Sequence, residues 1–326
     1  MKIFTFVIPT YNRKERLIQM LKSIEKQGLY EYYNVSIVDN CSSYSIEDSI
    51  KESLSDNFNN IVTVYHNKCN IGSLGQLSHY PNFSDTKWVW LLGDDDIVCD
   101  GGISIVLNDI KENPDCYLLK YTSVYGRQED PKSVNVFTPQ QFINEYDKGT
   151  FTSSHWIFMS SHVINKEILA PYNSKGFEFG YTYIAHVIPP IFKLMECNKK
   201  QYIRFSNASV VTTKPADGDH WSFYKIALGV RIFNDINLPV EKEVKDKLFS
   251  INCDFVSHRH FAYECLELNP RYYGKYVYST VYKSLYAHRF FRDKIIKLLF
   301  YSDFYLHTSL VKKLLAYAEK TGFTRE

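Results

Sequence analysis

Over the first 120 residues the chain repeats one unit: a short β-branched or aromatic run, a polar turn, then an amphipathic stretch of helical length. The runs are Ile3 to Ile8, Val35 to Val38, Ile61 to Tyr65 and Trp88 to Leu92. Between the first two, Arg13 to Gln27 places Leu17, Met20, Leu21 and Ile24 at helical spacing, which predicts a helix with one buried face. Gly28 falls just past its end, where a glycine can close the last turn. The intervals between strand starts suit βαβ crossovers. Alternation of this kind predicts an α/β fold, a mostly parallel Rossmann-like sheet with helices on both faces.

The pattern changes further on. From Tyr121 to Pro215 it is less regular, with strand-like runs at Tyr202 to Phe205 and Ala208 to Thr212 and a loop from Pro215 to His220. From Trp221 the periodicity is helical almost to the end. The expected division is a catalytic α/β domain over 1–220 and a mainly helical region over 221–326. Residues 271–326 carry eleven Lys and Arg against four Asp and Glu, a net +7. Apolar Phe290, Phe291, Ile295, Ile296 and Leu299 interleave there with Arg289, Arg292, Lys294 and Lys297. A basic amphipathic helix can lie in the headgroups of an anionic membrane, and the same pattern suits helices packed with a solvated basic face.

Each strand run leads into a polar cluster. The first gives Pro9-Thr10-Tyr11-Asn12-Arg13 and the second Asp39-Asn40-Cys41-Ser42-Ser43. Asn67 to Gly72 follows the third, and Gly93-Asp94-Asp95-Asp96 the fourth. The carboxyl ends of parallel strands share one edge, so clusters far apart in sequence converge where open α/β sheets bind ligands. Three successive acids repel one another unless a cation sits among them. Mg²⁺ or Mn²⁺ holding a diphosphate suits that need, whereas an Asp-rich turn with Asp96 capping the next helix is the plainer alternative. Asp39 fits either an N-cap for a helix from Ser43 to Leu54 or an acceptor for a nucleobase N–H or ribose hydroxyl. Neither G-x-G-x-x-G nor G-x-x-x-x-G-K-[ST] occurs at the first strand, which leaves a metal-bridged diphosphate rather than a glycine cradle.

Composition narrows the class. With 38 Lys and Arg against 36 Asp and Glu, the net charge of +2 excludes a general nucleic-acid binder. Seven scattered cysteines without C-x-x-C spacing, and a first apolar run that stops at Pro9, lead to the expectation of a cytosolic protein. No stretch of about 18 apolar residues is present to span a membrane. Aromatics reach 16%, a surplus usable for packing or for stacking on sugars.

VIPTYNR at 7–13, VDNCSS at 38–43, NIG at 70–72 and WLLGDDD at 90–96 together resemble the successive motifs of the family 2 glycosyltransferases, which have the GT-A fold. The resemblance covers about the first 120 residues and is nearest to bacterial polysaccharide-assembly enzymes. It implies an inverting, Mg²⁺- or Mn²⁺-dependent transferase using a nucleoside-diphosphate sugar. By position, Pro9, Thr10, Tyr11, Arg13, Asp39, Asn70 and Gly72 would line the nucleotide pocket. Asp94 would lie near the ribose and share the metal with Asp96, and Asp95 would serve the nucleotide or the chemistry. A uracil, thymine or guanine base suits Asp39, so UDP- or dTDP-sugars are favoured. The acceptor implied is a glycan or polyprenyl-linked oligosaccharide of the cell surface, met by peripheral contact at the cytoplasmic membrane.

The family's Glu-Asp pair is missing from the middle region, which leaves the catalytic base open. The candidates besides Asp95 are Glu178, set among aromatics that could desolvate it or else an exposed loop acid, His186, an imidazole base or else a buried core histidine, Asp217 and Asp219. In Asp217 to Trp221, His220 could add a metal ligand on a moving lid, or Asp219 could simply cap the following helix. Two other classes fit more weakly: a sugar nucleotidyltransferase, and an inactive transferase-like scaffold or glycan-binding protein.

Overall fold

The computed structural model describes residues 2–123, 133–178, 185–213, 238–253 and 313. Its strands are β1 (Phe4–Thr10), β2 (Tyr33–Asp39), β3 (Val62–His66), β4 (Trp88–Leu91), β5 (Asp96–Val98), β6 (Cys116–Ser123), β7 (Val134–Val136), β8 (His162–Asn165) and β9 (Tyr202–Thr213). The helices begin with α1 (Lys14–Glu25), α2 (Ile46–Ser53), α3 (Asp56–Asn59), α4 (Gly72–His79) and α5 (Gly102–Glu112). They continue with α6 (Pro139–Asp147), α7 (Ser153–Ile157), α8 (Lys166–Leu169), α9 (Asn173–Glu178), α10 (Ile188–Met195) and α11 (Lys242–Cys253). The chain divides into two units, residues 1–218 with 238–244 and residues 219–237 with 245–326.

The nine strands form one sheet in the order β3-β2-β1-β4-β8-β6-β9-β5, with β7 on β9. The four expected strands are its parallel half. Beyond β4 the sheet is mixed, because β8 inserts antiparallel between β4 and β6 while β6 and β9 run parallel. The two strand-like runs after residue 201 join into the single strand β9. Pro9 fits inside β1 because the pairing with β4 ends at Val7 and Leu91, so its missing N–H breaks no ladder there.

Both faces of β1, β2 and β4 are buried. Phe4, Phe6 and Ile8 pack with Leu17, Met20, Leu21 and Ile24 of α1, Ile46 and Ile50 of α2, and Ile103 and Val106 of α5. Val7, Val38, Val89 and Leu91 are equally enclosed on the other face. Among the described residues aromatics pack on one another: Phe6 lies 4.9 Å from Trp90, and Phe151 stacks on Phe205 at 4.3 Å. Gly28 takes φ +64° behind α1, as its place in the sequence predicts. At α2 the Ser45 side chain accepts the Asp48 N–H at 3.1 Å, and Glu47 and Asp48 complement the helix N-terminus. Among the described residues no helix is long and apolar enough to cross a membrane.

Candidate active site

The parallel register lines up the carboxyl ends. Thr10 of β1 pairs with Asp39 of β2, and Asp39 pairs with His66 of β3. The Thr10 hydroxyl donates to Asp94 Oδ2 at 2.7 Å, which ties the acidic turn after β4 to the same row. Burial pushes the Tyr44 hydroxyl up, and the Asp94 and Asp39 carboxylates add to that, so both acids act on one side chain. Pro9, Thr10, Tyr11, Arg13, Asp39, Asn70, Gly72 and Asp94 to Asp96 therefore belong to one edge. Tyr11 is exposed at its rim.

Asp39 is buried and caps no helix; Ser45 holds that position for α2. Its Oδ1 accepts the Ser42 N–H at 2.9 Å, and its Oδ2 lies 3.0 Å from His66 Nδ1. Asn40, also buried, organises the next loop. Its Oδ1 accepts from the Ile71 N–H at 2.9 Å and from Asn67 Nδ2 at 3.1 Å, while its Nδ2 donates to Asn70 Oδ1 at 2.7 Å. The same Asn70 oxygen accepts the N–H of Gly72, whose φ of +75° favours glycine as α4 begins.

The acidic run divides its roles. Arg13 Nη1 bridges Asp94 Oδ1 at 3.0 Å and Asp95 Oδ2 at 3.4 Å, and Arg16 Nη1 stands 3.7 Å from Asp95. Two arginines thus supply part of the counter-charge that three neighbouring acids require. Burial raises the Asp94 carboxyl, opposed by Arg13 and Thr10. Asp96 starts β5 rather than capping a helix, and its hydrogen bond is from the Ser160 hydroxyl. At 6% exposure, burial pushes Asp96 up to about 7; Ser160 opposes the shift and Asp95 and Asp94 add to it. Ser160 is itself fixed, accepting the Gly93 N–H on its hydroxyl and the Trp90 indole N–H on its carbonyl, both at 2.8 Å.

The donor set suits a hard divalent ion: oxygen ligands, with one buried carboxyl short of positive charge. A Cβ at Gly93 would stand 2.9 Å from Asp96 Oδ2 and 3.1 Å from Asp95 Oδ1, so both carboxylates converge on a space that only glycine leaves open. Among the described residues no three His, Cys, Asp or Glu side chains already form a metal cluster. Mg²⁺ commonly takes one or two protein carboxylates and completes its shell with phosphate and water.

Two candidate bases take the plainer of the two placements open to them. Glu178, expected to be desolvated, has a side chain 51% exposed at the end of α9, with both carboxylate oxygens 2.9 Å from Lys175 Nζ. His186 is a core histidine, its Nε2 at 2.9 Å from the Ile157 carbonyl and its ring edge-on to His162 at 4.9 Å. Asp95 is the candidate that lies in the acidic turn, with its side chain 32% exposed. His220, Asp217, Asp219 and the basic tail, apart from Lys313, lie outside the described residues.

Sequence reasoning missed Asn40, His66, Arg16 and Ser160. Asn40 stood inside a recognised cluster, and His66 is one residue past the third apolar run, so strand pairing could have found both. Ser160 lies far beyond the motifs and had no local signal.

A family model of glycosyl transferase family 2 matches residues 5–168, half of the chain. The chain belongs to this family. The abequosyltransferase RfbV of Salmonella typhimurium is 28% identical over 117 residues, a match spanning 36% of this chain and 35% of that enzyme. Among solved structures, S. aureus TarS 1–349 superposes with a TM-score of 0.56 at 15% identity, covering 99% of this chain and 92% of that one. Its complex with UDP-GlcNAc gives 0.55 at 17% identity over 87% and 82% of the two chains. The mannosyltransferase PcManGT of Pyrobaculum calidifontis, in complex with GDP-Man and Mn²⁺, gives 0.51 at 14% identity over 99% and 88%. At these identities the likeness establishes the fold, which is GT-A.

Proposed function

We propose that this family 2 chain transfers a sugar from a UDP- or dTDP-type donor to a hydroxyl of a glycan or lipid-linked oligosaccharide, with inversion, in cell-surface polysaccharide assembly. The observation that carries the reading is the single edge formed by Thr10, Asp39 and Asp94, where the strand register and one hydrogen bond unite three sequence clusters. The UDP-GlcNAc held by TarS supports the donor class, and the glycosyl transfer in the name of RfbV supports the reaction class.

In this reading Asp39 accepts a hydrogen bond from the base, and Asn70 and Gly72 border the nucleotide. Asp94 and Asp96 would hold Mg²⁺ or Mn²⁺; when bound, the ion offsets the charge on the leaving diphosphate. Arg13, already at the acidic turn, adds a second positive group on that side. Asp95 takes the proton from the acceptor hydroxyl as its oxygen bonds the anomeric carbon and the bond to the diphosphate breaks.

A thermal-shift screen of nucleoside diphosphates with and without Mn²⁺ tests this. Ligand at about 100 times its Kd adds about 2.7 kcal/mol, a rise in Tm of roughly 4 °C for a chain of this length. UDP with Mn²⁺ is expected to give the largest rise, and no shift with any diphosphate would refute the proposal. Pyrophosphate release from a nucleoside triphosphate would indicate a nucleotidyltransferase instead.

A further inference from the structure

His66 sits beside the candidate base-binding carboxylate, joined to it by geometry that requires a particular protonation state. Its Nδ1 lies 3.0 Å from Asp39 Oδ2 and its Nε2 lies 2.6 Å from Glu47 Oε1. Both acceptors are carboxylate oxygens, and an imidazole donates from both nitrogens only as the imidazolium. The charged groups acting on His66 are Asp39 of β2 and Glu47 of α2, and β3 carries no other charged side chain. Asp39 is buried, whereas His66 and Glu47 are half exposed, so the bridge runs from solvent to the site.

We propose that His66, as the imidazolium, is a positioning residue for donor binding: it bridges Glu47 to Asp39 and, with the Ser42 N–H, holds the Asp39 carboxylate in the orientation that meets the nucleobase. This rests on the nucleotide-binding reading above. With Oδ1 held by Ser42 and Oδ2 by His66, Asp39 is fixed at both oxygens and keeps its remaining lone pairs for a ligand. Loss of one proton breaks the bridge. If Nδ1 is the nitrogen stripped, its lone pair opposes Asp39; if Nε2 is, Glu47 is released and His66 loses its outer anchor. The Glu47 hydrogen bond is the first cause raising the His66 pKa and the Asp39 hydrogen bond the second, so the bridge persists above the usual histidine range. Donor affinity is therefore highest while His66 is charged and falls as pH rises through its titration.

The experiment is calorimetric binding of UDP with Mn²⁺ from pH 6 to 8.5, on the wild-type chain, His66→Ala, His66→Asn and Glu47→Gln. The ligand's own titration is common to all four proteins and cancels in their ratios. Relative to wild type at pH 6.5, His66→Ala is expected to bind roughly five- to tenfold more weakly, the loss of one charge-assisted hydrogen bond. That deficit shrinks as pH rises, because the wild type loses the same contact. His66→Asn, which keeps an N–H for Asp39 and cannot ionise, recovers part of the affinity without the pH step. Glu47→Gln moves the step to lower pH. In turnover assays the His66 variants change the donor KM, with kcat little altered. If wild type and His66→Ala share one affinity and one pH profile, His66 is structural only; the proposal falls and the nucleotide reading stands. If the wild type binds none of UDP, dTDP or GDP at any pH, both fall together.

Discussion

Asp96 makes a prediction in which stability and activity move in opposite directions. Its carboxyl is buried and raised to about 7, against about 3.9 for an aspartate in an unfolded chain. Below pH 4 both states hold the proton and Asp96 costs nothing. Between pH 4 and 7 the unfolded chain releases its proton while the folded one keeps it, so stability falls as pH rises; above 7 the loss is constant. Three units at 1.36 kcal/mol each set a ceiling of about 4 kcal/mol. Asp96→Asn removes the ionisation and keeps an oxygen for the Ser160 hydroxyl. In chelator, the variant should be more stable than wild type by under ~1 kcal/mol near pH 4, and by a few kcal/mol, at most about 4, at pH 8. Urea unfolding at pH 4, 5, 6, 7 and 8 measures this directly. Mn²⁺ with UDP should close the gap by stabilising only the wild type, and transfer by the variant should fall by about 100-fold or more. A variant no more stable than wild type at pH 8, or a gap that ignores pH, would refute the reasoning.

Three further outcomes follow from contacts around this edge. Asn40→Ala leaves the Ile71 N–H and the Asn70 amide without their partner; it should cost on the order of 1–3 kcal/mol in denaturant melts and raise the donor KM. Gly93→Ala sets a methyl against Asp96 Oδ2, Asp95 Oδ1 and the Met159 methyl; roughly 1–3 kcal/mol of stability and most of the transfer activity should be lost, read by melting and by assay. Lys120 is fully buried, donates to the Phe158 carbonyl and the Ser161 hydroxyl, and is pushed well below the usual lysine range by burial. Because the unfolded chain keeps that proton to about pH 10, Lys120→Met should stabilise most near neutral pH, with the gain fading as pH approaches 10 in melts.

The parallel half of the sheet was legible because its signals are local. Leu17, Met20, Leu21 and Ile24 mark one helix face, Gly28 its end, and four apolar runs the strands; each depends on neighbours within about one turn or one strand. Convergence at one edge followed from the parallel direction alone. What lay beyond reach was the choice of partners. The triplet of acids predicted a cation, but nothing near residue 94 says that Arg13 and Arg16 supply part of it and leave Asp96 to a serine 64 residues further on. Glu178 looked desolvated because phenylalanines flank it in sequence, yet it ends a short helix in solvent and pairs with Lys175. The role proposed for His66 depends on register, since Asp39 is its neighbour across the sheet and not along the chain.

The insertion of β8 next to β4 sets an order on how the molecule can be assembled. A polypeptide released at residue 123 would contain the four polar clusters after the strands, yet Trp88 and Trp90 would stand on a bare sheet margin. The aspartate after β4 would still await the hydroxyl that grips it. The acidic turn is therefore completed late in synthesis, and a truncation between β6 and β8 would disable it without altering any of the motif residues.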